Sequence, residues 1–204
     1  MKKYILMCGI VLSGLIGCKS NTNDQGFTKR DYSVPPEDTS NMSKAISYDV
    51  DLGNLVVSMP AKPDQVKLTK FIEGLGNLTM YQSMVVKSSL GVDGVYVAVI
   101  CDYALLDGLH WNAKKGLDGA ISGNFDDWHR QGLTYTVDSN QYLTVANHQG
   151  HEIKGSLSDS NKVVAYDVLV LAESNKPRAY VFVTLTTMSS DADAIAMMAS
   201  IRTK

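Results

Sequence analysis

The chain has 204 residues and sets 19 basic against 21 acidic side chains, a formal charge of −2. No block of like charge stands out, and nucleic-acid binders are ordinarily basic, so a nucleic-acid partner is disfavoured. About 160 residues follow position 44, enough for one domain with one core.

Lys2 and Lys3 open the chain with positive charge, Tyr4 to Gly14 is apolar, and Leu15-Ile16-Gly17-Cys18 ends the stretch with small residues before a cysteine. That is the layout of a secretory signal. A membrane-spanning helix needs about 20 apolar residues, and here Lys19, Ser20, Asn21 and Asn23 arrive too soon. Leu15-Ile16-Gly17-Cys18 resembles the lipobox of bacterial lipoproteins. The resemblance implies that the Cys18 thiol takes a diacylglyceryl group, that residues 1–17 are cut away and that the new amine is acylated. One acyl chain holds only marginally, at about 0.8 kcal/mol per buried methylene, whereas two or three give lasting attachment. An aspartate after such a cysteine commonly signals retention at the inner membrane. Lys19 stands there instead and is permissive for the outer membrane, with the domain periplasmic or surface-facing. Loss of Lys2 and Lys3 with the signal leaves 17 basic against 21 acidic residues, a charge near −4.

Residues 19–44 are polar, carry Pro35-Pro36, and offer only scattered apolar side chains. Such a composition does not offset the entropy of ordering. A coil of that length spans about 28 Å root-mean-square, so the reading is a lipidated cysteine with a flexible tether over 18–44 and a single domain over 45–204. Cys8 leaves with the signal and Cys18 is committed to lipid, so Cys101 stands alone in the domain and no internal disulfide is possible. Within "VYVAVICDYA" it alternates with strand residues and reads as a small buried apolar side chain.

In "ISYDVDL", Ile46, Tyr48, Val50 and Leu52 alternate with polar or small neighbours; Gly53-Asn54 follows and "LVVSMP" resumes. This predicts a β-hairpin, ended by Pro60 and Pro63. Residues 64–76 fit either a short helix or an irregular strand. "LTMYQSMVVKS" and "GVYVAVICDYA" read as two strands about an Asp93-Gly94 turn. From Leu106 the apolar spacing changes to three and four, through Leu109, Ala113, Leu117, Ala120 and Ile121, and predicts a helix with Gly123 as its stop. "NFDDWHRQG", residues 124–132, reads as a link. "LTYTV", "YLTVANH", "HEIKGSL", "VVAYDVLVLA" and "RAYVFVTLTTM" then make a meander of short strands, broken at 138–140, Gly150, 159–161 and 175–177. Ser190, three residues before Asp193, is placed to cap a last helix with Ile195, Met198 and Ile201 on its apolar stripe.

"VVSMPAKP", "NHQGHEIKG", "PRAYVFVTLT" and "MASIRTK", in this order of elements, resemble the PsbP-like superfamily over residues 46–204. The resemblance implies an α+β domain, a largely antiparallel sheet flanked by helices in an α/β/α sandwich, in proteins that act mainly as binding or assembly factors.

The candidate chemistry is sparse. His148 and His151 in "HQGH" have a spacing seen in metal pairs, but closed zinc sites want four ligands and cysteine partners are absent. Surface turn histidines are the expectation. Asp126, Asp127 and His129 in "FDDWH" could meet a cation or act as acid and base, yet calcium needs six to eight oxygens. Phe125 and Trp128 are expected to staple that loop to the core, unless Trp128 is exposed as a contact for a ligand or protein. No hydrolase elbow, phosphate-cradling loop, dinucleotide fingerprint or metalloprotease helix is found. The expectation is a non-enzymatic, lipid-anchored envelope protein, without cofactor or metal, engaging a protein partner. The alternative is a small-molecule or metal-binding module whose rim holds Trp128, Asp126, Asp127, His129, His148 or His151.

Overall fold

Side-chain alternation dominates the chain, and what it builds is mostly strand. The computed structural model describes residues 28–29, 47–89, 92–159 and 162–204. The expected signal, the lipidation at Cys18 and the expected tether lie outside those residues, except for Thr28 and Lys29. In chain order the elements are β1 (Thr28–Lys29), β2 (Tyr48–Asp51), β3 (Leu55–Met59), β4 (Asp64–Ile72), β5 (Gly76–Ser89) and β6 (Val92–Leu105). Helix α1 (Ala113–Arg130) precedes β7 (Thr134–Val145), β8 (His148–Ser158), β9 (Val163–Ala172) and β10 (Arg178–Thr186). Helix α2 (Ala192–Ala199) and β11 (Arg202–Thr203) close the chain.

Two sheets form. The large one has the order β1-β7-β8-β9-β10-β6-β5-β4, and the small one β11-β3-β2. All neighbours in the large sheet are antiparallel except β1, which lies parallel to β7. Central strands are apolar on both sides. In β10, Ala179, Val181 and Val183 face the α1 side, while Tyr180 and Phe182 face the other, all wholly buried. A strand reads as a continuous apolar run when both its faces are covered.

The expected α/β/α sandwich is not what forms. The molecule is mostly antiparallel strand in two sheets, and two helices are found among the described residues. Helix α1 covers one face, lying over β8, β9 and β10 and sharing a core with Val168, Val170 and Val181. The other face is covered chiefly by the β2–β3 hairpin with β11, and α2 fills only one part of that layer. The physical reason is the burial in the hairpin. Leu52, Leu55, Val57 and Met59 lie within 1% of full burial against Tyr96, Leu169, Leu171 and Phe182. Each such side chain contributes about 1.5–3 kcal/mol on burial, so the hairpin lies across the large sheet rather than extending it.

Polar groups fasten this layer. Asn54 Nδ2 donates to Glu173 Oε1 at 3.0 Å, the Tyr180 hydroxyl donates to the same oxygen, and Trp111 Nε1 donates to the Glu173 carbonyl at 2.7 Å. Arg178 bonds Asp102 beside them. At the chain's end, Ser58 N donates to Ser200 Oγ at 2.8 Å and Arg202 pairs with Asp49 at 2.6 Å.

Several element boundaries differ from expectation. Of the two readings left open for residues 64–76, Asp64–Ile72 takes the strand. Helix α1 starts at Ala113, where the Asn112 side chain accepts from Lys115 N at 2.9 Å, and runs on to Arg130 through the residues expected as a link. Asp191, not Ser190, caps α2, accepting from Ala194 N at 2.8 Å and from the Tyr96 hydroxyl at 2.9 Å. "LTYTV" and "YLTVANH" join into one strand, β7, with a bulge between Val137 and Ser139. The β7–β8 turn falls at Ala146-Asn147, both at positive φ, as a two-residue hairpin of the primed kind requires. Gly150 lies inside β8 instead of turning the chain.

Candidate functional site

The small sheet ends at β2 before the large sheet ends at β4, and a groove is left between them. Its cavity is about 410 Å³, lined by Asp51 and Leu52 from the hairpin, Gln65 and Lys67 from β4, Tyr81 and Ser83 from β5, and Ile100 from β6. Register explains the lining. Gln65 stands opposite Ser83 and Lys67 opposite Tyr81, so these four share the face toward the small sheet. Gln65 Nε2 donates to Ser83 Oγ at 3.3 Å, and Lys67 Nζ lies 5.4 Å from the centre of the Tyr81 ring. At the groove's far wall, hydrogen bonds from Lys204 first and Gly53 N second hold the Asp51 carboxyl below its ordinary range.

Strand β4 is also the terminal strand of the large sheet. No described strand pairs with its outer side, so one row of its backbone N–H and C=O groups faces outward along nine residues. Side chains on both of its faces are exposed. Phe71 is 61% exposed on the groove side, two residues beyond Thr69, and Val66 is 51% exposed on the other, with Tyr81 42% exposed next to Lys67. Outward backbone groups flanked by apolar and aromatic side chains are the features of a sheet edge that β-strand addition uses.

The residues singled out from the sequence do not converge. Asp126, Asp127, Trp128 and His129 are consecutive on α1 and so point in different directions around it. Trp128 is wholly buried, its ring 5.0 Å from Tyr166 and 5.3 Å from Phe125. Asp127 is buried and bonded by Arg130, while Asp126 and His129 are exposed. His148 and His151 lie in β8, not in a turn. Three residues apart on a strand, they project to opposite faces. His148 Nδ1 bonds the Ala146 carbonyl at 2.7 Å and its ring meets Tyr180 edge-on at 5.7 Å. His151 is buried on the α1 side, which corrects the expectation of a surface histidine. Among the described residues no three His, Cys, Asp or Glu side chains gather to hold a metal ion. Cys101 is buried, and burial pushes its thiol up to about 12.

Around His151 the fold assembles a polar cluster. Its ring stacks on Tyr142 at 4.2 Å, its Nε2 lies 2.8 Å from Asn140 Oδ1, and its Nδ1 lies 3.3 Å from Asp118 Oδ1. Tyr142 donates to Asp118, and Lys114 reaches Asp118 at 3.2 Å and sits 4.8 Å from the Tyr142 ring centre. Burial lowers the His151 pKa, opposed by the Asp118 charge. Burial followed by Asp118 raises Tyr142, and the bond to Asp118 raises Lys114. The two ring nitrogens of His151 are thus flanked by the Asn140 amide and the Asp118 carboxylate. The cluster fastens the first turns of α1 to β7 and β8. Lys114 and Asp118 are a visible i,i+4 pair, but only the folded chain brings β7 and β8 beneath them.

No family model matches the chain, and no curated protein matches it. Among solved structures, a protein of unknown function from Pseudomonas aeruginosa, described as a candidate regulator, is similar over 71% of this chain and 85% of its own. Identity is 9% and the TM-score 0.33. Among the described residues no helix is long and apolar enough to cross a membrane.

Proposed function

We propose that this chain is a non-enzymatic, lipid-anchored cell-envelope protein whose domain captures an extended segment of a protein partner along β4. The observation that carries the reading is the open, half-apolar edge of β4 beside the groove. The added segment takes the outward backbone bonds of β4, while Tyr81 and Phe71 on one side and Val66 on the other receive alternate side chains. Lys67 sets the preference. A lysine on an edge keeps that edge from pairing with a second copy of itself, and it favours a segment with acidic or neutral side chains. The anchor expected at Cys18 supports the reading because lipid attachment raises the effective concentration of neighbours in the envelope.

Crosslinked envelopes test it. Capture of a discrete partner by the unaltered chain, and its loss in Val66→Asp with Phe71→Asp, is the expected outcome. Capture that is indifferent to both substitutions, or no specific capture, sinks the proposal. A small ligand in the groove is the second reading, favoured by Lys67 standing over Tyr81. A ligand at 100 times its dissociation constant would raise stability by about 2.7 kcal/mol, visible in a thermal-shift screen.

A further inference from the structure

The two ends of the large sheet are treated differently by the chain itself. At the β4 end nothing described pairs with the edge, whereas at the β7 end Thr28 and Lys29 lie parallel to β7, opposite Leu143 and Thr144. Those two residues fall inside the segment that composition marks as a tether. Their pairing changes what the anchor can do.

Ten residue steps separate Cys18 from Thr28, and at 3.3–3.6 Å each they reach at most about 35 Å. The 29 steps from Cys18 to Ser47 would reach about 100 Å. Docking of β1 therefore shortens the maximum reach to about a third and moves the point of attachment from β2 to the β7 edge. Six strand spacings of about 4.8 Å place β4 about 29 Å beyond β7 across the sheet. To lay β4 on the lipid, the chain before Thr28 would have to be nearly taut around the body of the domain.

The β7 edge also has the side chains for a lipid surface. β1 pairs only with Leu143 and Thr144, so the start of β7 has no described partner on that edge. There Tyr135 and Val137, two positions apart on the α1 face, are 42% and 47% exposed, with one side of the Tyr135 ring stacked on Phe125 at 4.5 Å. A tyrosine with an apolar body and a polar tip suits the headgroup boundary.

We infer that β1 is a strap: it turns the β7 edge toward the membrane and presents β4 and its groove to the aqueous side. The inference rests on lipidation of Cys18, part of the function proposed above. It adds that the occupant of β4 arrives from water, as a soluble partner or a soluble segment of one.

The test uses the full lipidated chain in vesicles of phosphatidylethanolamine and phosphatidylglycerol carrying a headgroup acceptor dye. A donor dye is placed at Asp138→Cys on β7 or Thr69→Cys on β4; Cys101 is buried and stays unlabelled. More energy transfer from 138 than from 69 is expected, with that difference lost in Thr28→Pro with Lys29→Pro, which removes the strap's N–H donors. Equal transfer in the unaltered chain, or a difference that survives the prolines, overturns the strap. A separate readout is a disulfide between Lys29→Cys and Thr144→Cys, which a paired register allows. Failure of that bond to form overturns the strap while leaving the anchor standing. A chain that does not sediment with the vesicles overturns the anchor and the strap together.

Discussion

The two faces of the large sheet are closed by different means, and the functional surface follows from the difference. On one face an 18-residue helix, α1, lies over β8, β9 and β10, and Trp128, Phe125 and Tyr166 close its far end. On the other, a three-stranded sheet covers the central strands and Val85 of β5 and then stops at β2, leaving β4 and Tyr81 of β5 open on that side. The groove thus comes from the narrowness of a covering layer. Buried residues on either face govern stability, and exposed residues along β4 can be changed with little cost to the fold.

Substitutions sharpen this contrast. Trp128→Ala, on the sealed face, is expected to lose about 3–5 kcal/mol in urea unfolding, because it empties a wholly buried site. Gly155→Ala comes next. A Cβ there would sit 1.9 Å from the Thr136 carbonyl oxygen, and relieving that overlap with backbone costs about 1–3 kcal/mol or more. Tyr180→Phe removes a donor to the buried Glu173 carboxylate and is expected to cost about 1–3 kcal/mol. It loosens the join between the two sheets. At the β4 edge, Phe71→Ser on the groove side and Val66→Ser on the opposite face are each expected to change stability by no more than about 0.5 kcal/mol, while partner capture falls. A large loss of stability in either would mean that β4 belongs to the core and not to a docking edge.

Acid provides a smaller test of the sealed face. The folded chain holds His151 below its ordinary value of 6.5, through burial, against the opposing pull of Asp118. Lys114, Tyr142 and Asn140 are the other polar groups around the ring. Because the unfolded chain takes up this proton more readily, stability is whole above pH 6.5 and declines as pH falls through the lowered value. Unfolding followed from about pH 7.5 to about pH 5 should show that decline in the native chain and less of it in His151→Gln. A rise in stability on acidification would mean that the Asp118 pair outweighs burial.

The sequence disclosed regular parts of the fold and little of the candidate site. Period-two alternation around Gly53-Asn54 is enough to place the first hairpin, because Val50, Leu52, Leu55 and Val57 all turn to one buried layer. Strand β4 stays ambiguous between helix and strand in the sequence because an edge strand exposed on both faces has no apolar period to read. Its burial pattern is nearly all exposed until Ile72. Helix α1 was placed seven residues early and stopped at Gly123, since "NFDDWHR" looks polar. Its apolar stripe continues through Trp128, and the buried Asn124 side chain donates to the Ala120 carbonyl at 2.8 Å inside the same helix. His148 and His151 were read on a turn because Gly150 lies between them. In the fold Gly150 is needed inside β8, where a Cβ would meet Leu171 at 2.7 Å. The groove depends on where β2 stops relative to β4, a relation between residues distant along the chain that no local pattern encodes.

The central claim is that β4 receives a partner's extended segment. It is tested most directly by placing a photo-crosslinking side chain at Thr69, and for comparison at Asp138, in cells that express the chain, and identifying the adducts by mass spectrometry. A discrete envelope protein joined at 69 and absent at 138 is the predicted result. Adducts shared equally by both positions, or none at 69, would contradict it.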